Sequence, residues 1–131
     1  MKRIGEILVE NNLISIDSLN DALREKQNSD KLLGEILIEK GYVSEDNLLK
    51  GYAIQTGSRT ITENDLYQAN PEVAKLIPED FSKEKHVLAL SKTDSTISVA
   101  MHNPEDIPTI DSIKRLTNLE VDILIARKDI L

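Results

Sequence analysis

One segment of this chain occurs twice. RIGEILVENN at residues 3–12 returns as LLGEILIEKG at residues 32–41, and the match continues in one register to residues 26 and 55 without a gap. Eight of the 24 aligned pairs are identical, namely Gly5/Gly34, Glu6/Glu35, Ile7/Ile36, Leu8/Leu37, Glu10/Glu39, Ser15/Ser44, Asp17/Asp46 and Leu19/Leu48. A repeat of this kind indicates an internal duplication of one supersecondary unit.

Each copy has the apolar spacing of a helical hairpin. Ile4, Ile7 and Leu8 lie at i, i+3 and i+4, which is one face of a short helix. Leu19 and Leu48 belong to the corresponding faces of the helices that follow. Hairpins this short can bury their faces only against each other or against another lobe. We therefore predict a closed four-helix subdomain over residues 1–60.

The expected helix ends repeat as well. Asn12 and Gly41 suit the left-handed backbone conformation that often terminates a helix. Ser15 and Ser44 are expected to cap the second helix of each hairpin.

Residues 61–131 predict a small α/β subdomain, so the fold class is α+β. HVLAL and TISVAM read as a strand hairpin, and LEVDILI alternates like a third, half-buried strand. The helix signals are Asn70-Pro71, Ile77-Pro78, Pro108 and a C-cap at Asn118. The final KDIL reads as the beginning of a helix, and we expect more protein to follow it.

Composition and charge exclude several classes of function. The net charge of −7 argues against binding to long nucleic acid. No apolar run approaches the 18 residues or so of a membrane span, so we expect no membrane insertion and a cytoplasmic location. The absence of cysteine removes thiolate metal sites and cysteine nucleophiles.

Nothing in the sequence predicts an enzyme. His86 and His102 are isolated and are expected to be structural or surface residues. No phosphate-binding glycine loop occurs and no carboxylate pair stands out, so we expect neither a catalytic residue nor a cofactor.

Two features of the repeat favour a ligand over simple packing. Gly5 and Gly34 fall inside predicted helices, where glycine costs about 1 kcal/mol relative to alanine and often marks a close approach to the backbone. Arg3, Lys26 and Gln55 place hydrogen-bond donors at the ends of the apolar faces. A duplicated bundle with no site is the alternative interpretation.

The doubled segment resembles the MshEN-type N-terminal domain of the GspE/PilB family of ATPases, which drive type II secretion and type IV pilus assembly. That family carries the motif R-L-G-x-x-L-[VI]-x-x-G-x6-L-x3-L-x2-Q twice, five residues apart, and QNSDK at residues 27–31 is the spacer here. IPEDF, SVAMHNP and RLTNLEVDILIA are similar to its second subdomain. The resemblance thus covers nearly the whole chain.

The resemblance implies a ligand, cyclic di-GMP, whose own twofold symmetry suits a duplicated site. It implies apolar packing on the guanines, backbone approach at the glycines, Arg3 on a phosphate or guanine edge, and Gln55 and Glu35 on base edges. Tyr52 would offer a stacking face, and Asn103 replaces an acidic residue of the family. The implied ligand-binding residues are Arg3, Ile4, Gly5, Leu8, Leu19, Leu23, Lys26, Gln27, Leu33, Gly34, Glu35, Leu37, Leu48, Tyr52, Gln55 and Asn103.

Apart from the conservative Ile4, four positions depart from the family motif. Leu32 replaces the second arginine, Lys26 replaces the first glutamine, Asn12 replaces a glycine, and Tyr52 replaces a leucine. The resemblance therefore leaves two functions open. The domain is either a cyclic di-GMP sensor that regulates a C-terminal ATPase domain, or a docking module for an inner-membrane platform protein that binds no nucleotide. We expect the isolated domain to be a monomer.

Overall fold

The computed structural model describes residues 2–131 and divides the chain into two compact units, one ending at Gly57 and one beginning at Ser58. Gly57 takes a left-handed conformation, with φ of 68°, and terminates a helix. The chain then joins the second unit at once, because Ile125 donates a hydrogen bond to the Arg59 carbonyl and accepts one from Ile61. The division thus lies three residues before the boundary expected between residues 60 and 61.

The described part of the first unit contains four helices in two hairpins. Helix α1 packs against α4 and helix α2 against α3, so each helix makes its main contact with the other copy. Leu8 and Leu37, which are equivalent in the repeat, are completely buried. The helices are α1 (Ile4–Glu10), α2 (Ile16–Lys26), α3 (Leu33–Glu39) and α4 (Glu45–Thr56).

The predicted helix ends of the first unit are confirmed. The Ser15 hydroxyl accepts a hydrogen bond from the N–H of Ser18, and Ser44 accepts the equivalent bond from Asn47, both at 3.1 Å. Asn12 and Gly41 have φ angles of 58° and 74°. The two copies therefore share their local structure as well as their sequence.

Residues 58–131 form a three-stranded sheet packed with short helices, which confirms the α+β class. The strand order is β1-β2-β3, with β1 antiparallel and β3 parallel to β2. The parallel pair is connected through α8. The elements are α5 (Glu63–Tyr67), α6 (Pro71–Ala74), α7 (Glu79–Lys85), β1 (Val87–Lys92), β2 (Thr96–Met101), α8 (Ile107–Thr117), β3 (Glu120–Ile125) and a 3₁₀ turn (Lys128–Ile130).

The helix signals of the second half also correspond to observed ends. Asn70 caps α6 by accepting from the N–H of Glu72 at 2.9 Å. Pro78 immediately precedes α7, and Asp106 caps α8, in which Pro108 is the second residue. Asn118 ends α8 with φ of 58°. The main apolar cluster of this unit contains Val73, Ile77, Val87, Ala89, Ile97, Val99, Met101, Ile110 and Ile113.

No helix within residues 2–131 combines the length and the apolar character needed to cross a membrane.

Candidate functional site

The end of each repeat copy is hydrogen-bonded to the start of the other copy. Gln55 Nε2, at the end of copy two, donates to the Lys2 carbonyl at 3.2 Å. Lys26 Nζ, the equivalent group of copy one, donates to the Lys31 carbonyl at 3.3 Å. Two equivalent corners result. We call Lys2, Arg3 and Gln55 the first corner, and Lys31, Leu32 and Lys26 the second corner.

Arg3 and Leu32 occupy the same place in the two corners. Each precedes the first helix of its copy, with φ and ψ of −74° and 153° at Arg3 and −73° and 151° at Leu32. Arg3 is exposed, and among residues 2–131 its guanidinium has neither an ion-pair partner nor a hydrogen-bond partner. The first corner therefore carries a guanidinium group that has no partner among the described residues.

A groove of about 330 Å³ opens beside the first corner. Gln55 lines it, and Gln55 Oε1 is buried with no hydrogen-bond partner among the described residues. A buried carbonyl oxygen without a partner is costly, so this atom favours a donor supplied from outside the domain. The other lining residues are Lys2, Ile7, Glu10, Asn11 and Ile54.

The two corner lysines that precede the motif are held by carboxylates. Lys2 Nζ lies 2.8 Å from Glu10, and Lys31 Nζ lies 2.8 Å from Glu39. In each pair the hydrogen bond and the charge of the glutamate raise the pKa of the lysine. These two ammonium groups are thereby paired within the domain, whereas Arg3 has no such partner among residues 2–131.

The repeated glycines are explained by packing within each copy. A Cβ at Gly5 would lie 2.6 Å from Leu19 Cδ1. A Cβ at Gly34 would lie 2.5 Å from Tyr52 Oη and 3.0 Å from Leu48 Cδ2. Packing by side chains of the following helix therefore accounts for glycine at both positions, and ligand contact at Gly5 and Gly34 stays a prediction.

Several of the expected ligand contacts are core residues. Tyr52 is 1% exposed and offers no free stacking face. The physical reason is that two hairpins of this size form one core, which takes the apolar face of every helix. Six residues implied as ligand contacts are buried in this core, and their contact with a ligand stays a prediction: Ile4, Leu8, Leu19, Leu37, Leu48 and Tyr52.

The accessible members of the predicted site are few. Leu23 is 41% exposed, and Lys26, Gln27 and Glu35 are exposed as well. Leu33 is half-buried, with its Cδ2 3.4 Å from where a Cβ at Gly5 would lie. Together with Arg3 and Gln55, these are the predicted site residues of the first unit that are exposed or half-buried.

Comparison with known proteins decides the family. The MshEN domain family matches residues 60–131, which is more than half of the chain. The chain belongs to the MshEN family. The predicted resemblance is confirmed, although the matched residues are those of the second unit and the doubled motif lies before them.

A relative of this MshEN domain extends the similarity to the first unit. The type IV pilus assembly ATPase PilB of Myxococcus xanthus (strain DK1622) is 30% identical over 124 residues, which is 95% of this chain and 22% of PilB. The chain thus spans about a fifth of that relative's length.

Two solved structures share the fold of this MshEN domain. A structure of MshE with cyclic di-GMP aligns with a TM-score of 0.86 at 26% identity, covering 99% of this chain and 94% of that one. The N-terminal domain of XpsE aligns with a TM-score of 0.73 at 24% identity, covering 97% and 87%. The XpsE likeness supports the fold alone.

Asn103 of the MshEN domain lies in the second unit, where its side chain has a local function. Its Oδ1 accepts a hydrogen bond from the N–H of Glu105 at 2.8 Å and shapes the turn after β2. His86 terminates α7 with φ of 55° just before β1. His102 immediately follows β2.

A polar network between α2 and the end of α3 was not predicted. The Tyr42 hydroxyl donates to the Asp21 carboxylate, and Lys40 Nζ lies 2.9 Å from Asp21 and 3.1 Å from Glu25. The hydrogen bonds from Tyr42 and then Lys40 lower the pKa of Asp21 to about 2. The same contacts raise the pKa of Tyr42 and of Lys40.

The repeat itself carried a signal for this network. Asp21, Lys40 and Tyr42 correspond to Lys50, Asn11 and Leu13 in the other copy, so the network breaks the internal symmetry. Non-equivalent polar residues at otherwise matching positions of a duplication can indicate such asymmetry. The result is that the α2–α3 contact is held by ion pairs, while the α1–α4 contact borders the groove.

Proposed function

We propose that this MshEN domain binds cyclic di-GMP at the two corners of the repeat and regulates a motor ATPase of type IV pilus assembly or type II secretion. The ATPase domain is expected C-terminal to this chain in the same cytoplasmic protein. The observation that carries the proposal is the first corner, where the amide of Gln55 is hydrogen-bonded to the carbonyl of the residue before Arg3. Among residues 2–131, the guanidinium of Arg3 has no partner and the buried Gln55 Oε1 has no donor.

The chemistry of the corner matches the ligand. The planar guanidinium of Arg3 can donate two parallel hydrogen bonds to a phosphate or to the acceptor edge of guanine. Gln55 Oε1 can accept from the N–H groups of guanine, which would satisfy an oxygen that has no partner among the described residues. The exposed apolar side chain of Leu23 offers packing surface for a base.

The symmetry of the fold matches the ligand too. Cyclic di-GMP has two equivalent halves, and the first unit presents two equivalent corners. The related MshE structure contains cyclic di-GMP, which supports the same ligand class here. Docking without nucleotide is the second candidate. It is supported by Tyr67, which is 83% exposed on the second unit.

Isothermal titration of the 131-residue chain with cyclic di-GMP tests the proposal, with GTP and cyclic di-AMP as controls. We expect saturable binding of one cyclic di-GMP per chain and no comparable binding of the controls. Absence of heat, together with an unchanged melting temperature, would overturn the sensor function. The docking candidate would then be tested with the purified cytoplasmic part of the platform protein, comparing the parent with Tyr67→Ser.

A further inference from the structure

We propose that Lys26 supplies the phosphate-binding cation of the second corner, in the place of the arginine that Leu32 lacks. The inference rests on the proposed function and adds to it a role for one side chain. On this inference, the loss of a cation at Leu32 is compensated by the gain of a cation at Lys26.

The two departures, Lys26 and Leu32, both belong to the second corner. Each corner combines the start of one copy with the end of the other, as the hydrogen bonds of Gln55 and Lys26 show. In the first corner the start contributes the cation Arg3 and the end contributes a neutral amide. In the second corner the start contributes the neutral Leu32 and the end contributes a cation. The exchange therefore occurs within one corner, and each corner keeps one motif cation.

Lys26 is available for this task. Among residues 2–131 its Nζ has one hydrogen-bond partner, the Lys31 carbonyl at 3.3 Å, and no carboxylate partner. An ammonium group carries three donors on a flexible stem, so it can keep this carbonyl and still donate to a phosphate oxygen. Lys31 itself is held by Glu39 at 2.8 Å.

A ligand with two phosphates related by a twofold axis accounts for the preserved charge. One phosphate would meet Arg3 and the other would meet Lys26, each by a charge-assisted hydrogen bond. The contribution of Lys26 should therefore depend on salt, because both corners are exposed to solvent. A merely structural lysine would give no such dependence of ligand affinity.

Titration of cyclic di-GMP into four versions of the chain tests the assignment. Lys26→Gln gives the second corner the amide of the first corner and should weaken binding roughly tenfold or more. Lys26→Gln combined with Leu32→Arg returns a cation to the same corner and should restore affinity to within a few-fold of the parent. Lys50→Gln, which removes an exposed lysine of α4, is the matched control and should leave affinity unchanged.

The outcomes separate this inference from the proposed function. If the parent binds and Lys26→Gln binds equally well with the same salt dependence, the Lys26 assignment is overturned and the sensor function stands. If the double variant stays as weak as Lys26→Gln, the exchange within the corner is wrong. If the parent does not bind cyclic di-GMP at all, both proposals fail.

Discussion

Gly51 of α4 lies directly against Leu8 of α1. A Cβ at residue 51 would lie 2.8 Å from Leu8 Cδ2 and 2.9 Å from Ile4 Cδ1. The equivalent residue of copy one is Ala22, which is completely buried. Small residues at these two equivalent positions allow each helix to approach its partner in the other copy.

Gly51→Ala should destabilise the domain. The alanine gains about 1 kcal/mol of helix propensity, but overpacking a closed core costs roughly 1 to 3 kcal/mol. Because both neighbouring side chains are fully buried, we expect a net loss of about 1 kcal/mol in urea denaturation. Lys50→Ala, at the adjacent exposed position, is the control and should change stability little. A more stable Gly51→Ala variant would show that the α1–α4 contact relaxes freely.

The contribution of Asp21 to the free energy of unfolding should depend on pH. Its pKa falls from the ordinary 3.8 to about 2 in the folded chain. The unfolded chain therefore binds the proton more readily, and the contribution of Asp21 is present above about pH 4 and is lost as the pH falls towards 2. Urea denaturation of the parent and Asp21→Asn should diverge above this window and converge at its acid end.

The control for this experiment is Asp94→Asn, in the turn between β1 and β2. It should follow the parent curve across the same pH range. Equal separation of the Asp21→Asn and parent curves at every pH would contradict the role of the Tyr42 and Lys40 contacts.

Gly41 should respond differently to substitution by alanine and by asparagine. A Cβ at Gly41 would meet nothing within 4 Å, so any effect comes from its left-handed backbone, with φ of 74°. Gly41→Ala should cost about 1 kcal/mol. Gly41→Asn should cost less, since Asn12 already adopts this conformation in the other copy. Chemical denaturation measures the stabilities of the Gly41→Ala and Gly41→Asn variants. Equal stabilities would contradict the claim that the left-handed backbone conformation causes the loss.

Arg3 and Gln55 should govern ligand affinity with little effect on folding. Arg3→Ala or Gln55→Ala should weaken cyclic di-GMP binding by about 1.5 to 3 kcal/mol, or roughly ten- to a hundredfold. Arg115→Ala, an exposed arginine of α8, is the control. Parent-like affinity in both corner variants, with unchanged melting temperatures, would place the ligand elsewhere.

Local features of this fold were predictable because their causes are local. The caps at Ser15 and Ser44 depend on a side chain and a backbone N–H three residues apart. The sheet was anticipated as three strands, but the parallel direction of β3 was not specified, because alternation of apolar residues does not report which neighbour a strand pairs with. The packing of Leu19 against Gly5 and of Tyr52 against Gly34 could not be predicted for the same reason, since a glycine in a sequence does not show which group lies next to it.

The sequence by itself determined that two copies of one hairpin exist, where their helices begin and end, and that an α/β unit follows. Only the tertiary structure decided that the end of each copy meets the start of the other, where Lys26 and Gln55 donate to the carbonyls of the residues before Leu32 and Arg3. It also decided that most motif leucines belong to the core. The physical reason is that the hydrophobic effect favours burial of apolar area without specifying which helix faces pair. Which faces pack together therefore depends on the whole unit.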